Sequence, residues 1–160
     1  MKLAIIAVGR LKAGPERELA QRYTERFMAS AKAIGLSGPA ILELPESLAR
    51  SATERKQQEA QAILAALDSD SLLVALDERG KTLSSPAFAA KLAVWRDDGH
   101  KLLTFVIGGA DGLAPAILER AETSLSFGQM TMPHQLLRVV LLEQIYRVGT
   151  ILSGHPYHRA

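Results

Sequence analysis

Strand-like and helix-like segments alternate along the whole of this 160-residue sequence. Short runs rich in Val, Ile and Leu are typical of strands that are buried on both faces, and apolar residues three or four positions apart are typical of helices. The strand-like segments are 3–8, 40–44, 72–76, 102–107 and 124–132, and the helix-like segments are 15–30, 51–67, 84–97, 113–121 and 133–152. This alternation predicts an α/β fold with a mostly parallel sheet and helices on both faces. We expect a single domain over 1–160 that ends in a short functional tail at 154–160.

The final helix, 133–152, is apolar on nearly every side. Its polar exceptions are few, namely Arg138, Glu143, Gln144 and Arg147. A helix of this kind has to be buried on all sides, and the end of a small domain rarely provides that cover. Burial against a second copy of the chain is the simplest solution, so the sequence predicts a homodimer.

The absence of cysteine excludes disulfides and thiolate metal sites. His155 and His158 form one closely spaced histidine pair, but Pro156 between them argues against a shared helical face, so we expect no metal. The first apolar run ends at Arg10 without the cleavage region of a signal peptide. No apolar run approaches the ~20 residues of a membrane helix. We therefore expect a cytoplasmic protein that does not associate with membranes.

Three stretches are expected at the carboxyl ends of strands, where open α/β sheets bind ligands. They are 75–77, 107–109 and 126–133, the last reading SFGQMTMP. Each also has a structural interpretation, because Gly108-Gly109 suits a tight turn, the polar segment 77–81 suits a solvent loop, and Met130 and Met132 suit core positions.

Known phosphate-binding motifs do not fit these stretches. No Lys-Ser or Lys-Thr follows Gly109, and the first strand-to-helix turn, 9–14, fails the dinucleotide fingerprint. A ligand without phosphates fits better, for example adenosine joined to a methionine-like sulfonium, whose positive charge would tolerate an acid such as Asp111 at the rim.

The carboxyl-terminal end combines basic and aromatic residues. The whole chain carries 19 Lys and Arg against 17 Asp and Glu, a net charge of +2. The tail, in contrast, places His155, Tyr157, His158 and Arg159 within five positions. Such side chains can stack on a base, donate to phosphate and titrate near neutral pH, so the tail suits an RNA contact. An idle basic tail is the alternative.

Five motifs together resemble the small SPOUT-class methyltransferases of the H type, which methylate N3 of a pseudouridine in bacterial large-subunit ribosomal RNA. They are MKLxxxAVG at 1–9, LDxxGK at 76–81, IGGxxGL at 107–113, TxPHxLxRVxLxEQxYR at 131–147 and HPYHR at 155–159. The resemblance covers essentially the whole chain. It implies an enzyme that uses S-adenosylmethionine and an α/β fold with a deep trefoil knot in its carboxyl-terminal part.

The resemblance also assigns the cofactor-binding positions. They fall on the strand-end stretches, at Leu76, Gly108, Gly109, Gly128, Gln129, Met130, Thr131, Met132 and Pro133. Relatives often carry Pro-Glu where this chain has Ala110-Asp111, so the acid is kept and the stiffening proline is not.

For catalysis we expect His158 and Arg159, with Tyr157, to reach across the dimer and complete the partner's site. Arg138 and Arg147 are candidates for phosphate or anion contact, and Glu143 is expected to pair with an arginine. The resemblance implies ribosomal subunits or whole ribosomes as substrate. The alternatives are a SPOUT enzyme that acts on another RNA such as tRNA, and a non-catalytic α/β module that binds RNA or nucleotides.

Overall fold

The computed structural model describes residues 1–157. The five strands are β1 (Lys2–Val8), β2 (Ser37–Leu44), β3 (Leu72–Thr82), β4 (Leu102–Ile107) and β5 (Thr123–Ser126). The five α-helices are α1 (Pro15–Ala31), α2 (Ala52–Ala66), α3 (Ser85–Asp97), α4 (Pro115–Arg120) and α5 (His134–Leu152), and a 3₁₀ turn at Lys32–Ile34 follows α1. The predicted alternation of strands and helices is confirmed.

All the strands pair in parallel in one sheet with the order β2-β1-β4-β3-β5. Helices α1, α3 and α5 pack on one face of this sheet, and α2 and α4 pack on the other. The connections that run towards the β2 edge of the sheet, β1 to β2 and β3 to β4, contain α1 and α3 and pass over one face. The connections that run towards the β5 edge, β2 to β3 and β4 to β5, contain α2 and α4 and pass over the other face. All four crossovers therefore have the same hand, as expected for parallel strands. The predicted α/β class with helices on both faces is confirmed.

Side chains of the central strands alternate between two apolar layers. In β4, Leu103, Phe105 and Ile107 contact the layer beneath α1, α3 and α5, whereas Val106 faces α2 and α4. Because both faces are covered, the central strands can be apolar throughout, and this explains why they lack the polar alternation of a half-exposed strand.

Local sequence signals fix the start of two helices. The Ser51 hydroxyl accepts a hydrogen bond from the backbone N–H of Glu54, and the Ser84 hydroxyl accepts one from that of Ala87. Each bond satisfies one of the amide groups that the first turn of a helix leaves unpaired. Pro86 sits in the first turn of α3, where a missing N–H costs nothing.

Helix α5 lies in the groove between α1 and α3 and differs from the prediction in how it is covered. Its fully buried residues include Leu141, Leu142 and Ile145, and within the helix only Leu136 is classed as exposed, at 44%. Two neighbouring helices of the same chain, α1 and α3, therefore cover much of the surface for which the sequence analysis invoked a second copy of the chain, and the homodimer stays a prediction.

The sequence also misplaced two boundaries near the sheet's edge. Within the polar segment 77–81, for which a solvent loop was one interpretation, Lys81 pairs again with β5, so that β3 continues to Thr82. Leu125 is aligned with both Leu76 and Lys81, so the four residues between them loop out of the sheet. The last strand is shorter than expected, because β5 ends at Ser126 and the chain then runs irregularly to Pro133.

Helices long and apolar enough to cross a bilayer are not found within residues 1–157.

Candidate functional site

A cleft of about 700 Å³ opens where β3, β4 and β5 end. Three segments form its walls: the looped-out part of β3, the glycine-rich turn after β4, and the irregular segment after β5 that leads into α5. Because the strands are parallel, their carboxyl ends meet at this edge of the sheet, as the sequence led us to expect.

Eight of the nine sequence-predicted cofactor residues line this cleft. They are Leu76, Gly108, Gly109, Gly128, Met130, Thr131, Met132 and Pro133. Gln129 is exposed and is not among the lining residues. The structure therefore brings together three stretches that are separated by up to about fifty residues in sequence.

The turn after β4 needs glycine for close backbone packing. A Cβ atom on Gly108 would lie 2.9 Å from the carbonyl carbon of Gly112, which is backbone and cannot rotate away. Gly112 itself has φ of +80°, a conformation that disfavours other residues, and its N–H donates to the carbonyl of Gly109 over 3.0 Å. The result is a tight turn that exposes backbone to the cleft.

Asp111, which closes this turn, forms an ion pair. The Arg55 guanidinium of α2 donates to both carboxylate oxygens, at 2.6 Å and 3.0 Å. These hydrogen bonds hold the pKa of the Asp111 carboxyl below its usual value. Asp111 was interpreted as an acid that a positive ligand would tolerate. In the structure it fastens the glycine turn to α2, and its charge is already compensated.

The opposite wall is held by polar contacts within the looped-out part of β3. Burial raises the pKa of Asp77, but hydrogen bonds from the Arg79 guanidinium and backbone N–H outweigh it and leave the pKa lowered. Glu78 accepts a hydrogen bond from the Thr131 hydroxyl at 2.9 Å. This bond joins the looped-out segment to the segment before α5, so the two walls are linked directly.

The sequence analysis missed several residues of this region, among them His134 and Lys56. His134, the first residue of α5, lines the cleft, and its Nε2 lies 3.5 Å from a carboxylate oxygen of Glu46. Lys56 of α2 also lines the cleft. Only the tertiary fold brings α2 to this edge, so no local signal could have identified Lys56. His134 lies within the TxPH motif and could have been selected from it.

Arg138, a predicted catalytic residue, does not line this cleft. It is 1% exposed and donates to the Glu43 carboxylate and, over 2.8 Å, to the carbonyl of Gly9. It forms part of a second cleft between β2 and α1. Arg138 is therefore a buried cation that lines the second cleft and does not line the cleft at the glycine turn.

Tyr157, the described end of the predicted catalytic tail, packs against α5 of its own chain. Its hydroxyl donates to Glu143 at 3.1 Å, and its ring centroid lies 4.6 Å from that of Tyr146. Burial, followed by the nearby Glu143 carboxylate, raises the pKa of Tyr157 to about 12. Glu143 also pairs with Arg147 at 2.6 Å, which confirms the expected pairing of Glu143 with an arginine. The other two predicted tail residues, His158 and Arg159, lie outside the described residues.

Groups of three or more His, Cys, Asp or Glu side chains that could hold a metal are not found among residues 1–157.

One solved structure that this chain matches is the SpoU methyltransferase AviRb from Streptomyces viridochromogenes in complex with the cofactor AdoMet. It matches 90% of this chain and 56% of its own length, with a TM-score of 0.40 and 15% identity.

Sequence relatives and a family model match the chain over nearly its whole length. A protein called "Ribosomal RNA large subunit methyltransferase H" from Bradyrhizobium sp. (strain ORS 278) is 54% identical over 160 residues, which cover 100% of this chain and 99% of the relative. The protein of the same name from Rhodopseudomonas palustris (strain BisB18) is 56% identical, with 100% of both chains covered. The family model described as "Predicted SPOUT methyltransferase" matches residues 1–158. With its glycine-edged cleft at the carboxyl ends of parallel strands, this chain belongs to the SPOUT methyltransferase family.

Proposed function

We propose that this chain transfers the methyl group of S-adenosylmethionine to N3 of a pseudouridine in 23S ribosomal RNA, within the large subunit or the assembled ribosome. The observation that carries the proposal is the full-length likeness, at 54% and 56% identity, to proteins named as large-subunit ribosomal RNA methyltransferases. The proposal includes a cytoplasmic enzyme, a single domain over 1–160 and the carboxyl-terminal knot.

The cleft suits this cofactor in size and in chemistry. Its volume of about 700 Å³ falls within the range of roughly 300–1,000 Å³ that is usual for small-molecule sites. Apolar side chains, among them Leu76, Leu125 and Leu137, offer surfaces for a flat ring, and the glycine turn offers backbone N–H and C=O groups. Arg79, a cation that could otherwise attract phosphate, is paired with Asp77.

The residues that would hold the cofactor are Leu76, the backbone of Gly108 and Gly109, and the segment 128–133. S-adenosylmethionine, when bound, supplies an electrophilic methyl group on its sulfonium sulfur. The chain's task is then to hold the acceptor nitrogen in line with that methyl group, because correct positioning removes most of the entropic barrier. The Arg55–Asp111 pair and the Glu78–Thr131 hydrogen bond keep the walls of the cleft in place.

The pseudouridine N3 carries a proton at neutral pH, and its loss leaves an anion that a nearby cation can stabilise. We assign this role to His158 and Arg159, acting on the cleft of a partner subunit, with Tyr157 anchoring the tail to α5 through Glu143. Met130, which lines the cleft, is 83% exposed, and this exposed apolar side chain supports a second subunit at this edge.

The test is methyl transfer from labelled S-adenosylmethionine to purified large subunits, whole ribosomes or tRNA. We expect label in large-subunit RNA, located at N3 of a pseudouridine by mass spectrometry of digested RNA. Label in tRNA, or in no RNA, refutes the proposal.

The tail's role is tested separately. Truncation after Ser153, or a His158→Ala/Arg159→Ala variant, should abolish turnover and leave the affinity for S-adenosylmethionine in calorimetry nearly unchanged. His100→Ala removes an exposed histidine just before β4, outside the tail, and serves as the matched control. Normal turnover by the truncated protein contradicts the assignment.

A further inference from the structure

A second cleft, of about 630 Å³, lies between the first half of α1 and the edge strand β2. Its charged lining residues are Arg10, Arg17, Glu25, Glu43 and Arg138. Arg10 lies two residues after the end of β1 and Arg17 lies in the first turn of α1, so the mouth of this cleft is at the same edge of the sheet as the candidate cofactor cleft.

The two glutamates of this cleft already have partners. Glu43 accepts hydrogen bonds from the Arg138 guanidinium and from the backbone N–H of Leu11, and Glu25 accepts one from Gln21 at 2.8 Å. Arg10 and Arg17 are both exposed, and neither donates a hydrogen bond to another residue within 1–157. The cleft therefore presents two available guanidinium groups.

The floor of the cleft adds a third cation. Arg138 is buried, and its Nε has no hydrogen-bond partner among the described residues. Glu43 compensates its charge, but that carboxylate also serves the Leu11 N–H and lies within the electrostatic influence of Arg10. Three guanidinium groups thus share one cleft with two engaged carboxylates, an arrangement that attracts an anion.

The second cleft and the cofactor cleft are joined by one turn of α5. His134 lines the cofactor cleft and Arg138 lines the second cleft, four residues and therefore about 6 Å further along the helix. Both side chains approach Gly9: Arg138 donates to its carbonyl, and His134 Nε2 lies 2.9 Å from where a Cβ on Gly9 would be. An RNA whose target nucleotide lies at the cofactor cleft can therefore reach the second cleft with its neighbouring nucleotides.

We propose that this cleft binds the phosphodiester backbone of the substrate RNA next to the nucleotide that is methylated, with Arg10 and Arg17 as the phosphate-binding residues. The inference rests on the proposed function. Arginine presents a planar set of N–H donors that matches the oxygens of a phosphate group, and RNA carries such a group at every nucleotide. Arg138 acts beneath them as a fixed positive charge and is not itself a phosphate ligand.

The experiment compares the wild-type chain with an Arg10→Ala/Arg17→Ala variant in binding to purified large subunits at increasing monovalent salt and constant Mg²⁺. Two lost contacts to single-stranded RNA should lower the slope of log K against log salt by about 1.4. Between about 50 mM and about 200 mM salt, the wild type should lose roughly seven-fold more affinity than the variant. The affinity for S-adenosylmethionine should be unchanged in both.

Two control variants test whether the change in slope comes from the loss of positive charge in the second cleft. Arg22→Ala/Arg50→Ala removes the same charge from exposed positions outside the second cleft and should keep the wild-type slope. Arg10→Lys/Arg17→Lys keeps the charge and should recover most of the slope.

Each other outcome has a distinct meaning. If the Ala variant keeps the wild-type slope while the wild type still methylates large subunits, the phosphate site is refuted and the proposed function stands. If the variant shifts the dimerisation constant and leaves the slope unchanged, the cleft is an interface between copies of the chain, and the phosphate site is again refuted. If the wild type neither binds nor methylates large subunits, both proposals fail.

Discussion

Replacing Glu43 with glutamine tests how much the buried Arg138 depends on its carboxylate partner. Removing one member of a buried ion pair costs roughly 3–5 kcal/mol, because the remaining charge is left uncompensated. The Glu43 side chain is 32% exposed, and glutamine keeps one oxygen that can accept a hydrogen bond, so the cost should be lower. We expect Glu43→Gln to lower the free energy of unfolding by about 2 kcal/mol. For a chain of this length that corresponds to about 4–8 °C in Tm.

The measurement is urea denaturation at pH 7, followed by circular dichroism, with Glu46→Gln as the matched control. Glu46 lies three residues further on, is 49% exposed and is 3.5 Å from His134, so its replacement should cost less than about 0.5 kcal/mol. Equal losses in the two variants, or a loss below about 0.5 kcal/mol in Glu43→Gln, would refute the reasoning.

The pH dependence of this difference follows from the pKa of Glu43. Burial raises that pKa, but hydrogen bonds from the Leu11 N–H and from Arg138 outweigh the effect and leave it below the ordinary value of 4.5. A carboxyl with a lowered pKa in the folded state stabilises the fold above its unfolded pKa and loses that contribution as the pH falls. The gap between wild type and Glu43→Gln should therefore be full at pH 7 and should shrink as the pH falls below about 4.5.

Three further predictions concern the cleft and the tail. Gly108→Ala places a methyl group 2.9 Å from the Gly112 backbone, and this overpacking should lower the free energy of unfolding by about 1–3 kcal/mol in urea denaturation; unchanged stability would show that the turn adjusts freely. Asp111→Asn removes the charge that holds Arg55 and should lower the midpoint of urea denaturation, and an unchanged midpoint would show that the pair does not fasten the turn to α2. In an ultraviolet titration, the difference between wild type and Tyr157→Phe should show a transition near pH 12; a difference transition near pH 10 contradicts the packing of the tail against α5.

The order and kind of the elements could be predicted because each depends on a short stretch of sequence. Strand 102–107 was predicted to the residue, and the predicted helix 84–97 begins at Ser84, the cap of α3, because apolar runs and capping hydroxyls act locally. Helix α5 shows where this kind of reasoning ends. Its apolar surface was visible in the sequence, but whether α1 and α3 or a second chain would cover it depended on how the helices pack.

In the site too, some residues could be predicted from local sequence and others could not. Glycine-rich strand ends such as 107–109 identify the cleft, since backbone geometry restricts what can stand there. The pairs that hold the cleft and its surroundings are not visible in the sequence, because Arg55 and Asp111 are 56 residues apart and Glu43 and Arg138 are 95 apart. The segment 77–81 was taken for a loop because it is polar, although its last residue rejoins β3 beside β5.

The looped-out part of β3 offers a place where the length of the chain can be varied by design. Both of its ends are aligned with the same residue, Leu125, so inserting or deleting residues between Leu76 and Gly80 leaves the pairing on either side in register. Gly80 has to be kept, because a Cβ there would lie 2.7 Å from the backbone of Leu125. A library of insertions at Asp77–Arg79 would therefore reshape one rim of the cleft while the sheet beneath it stays unchanged.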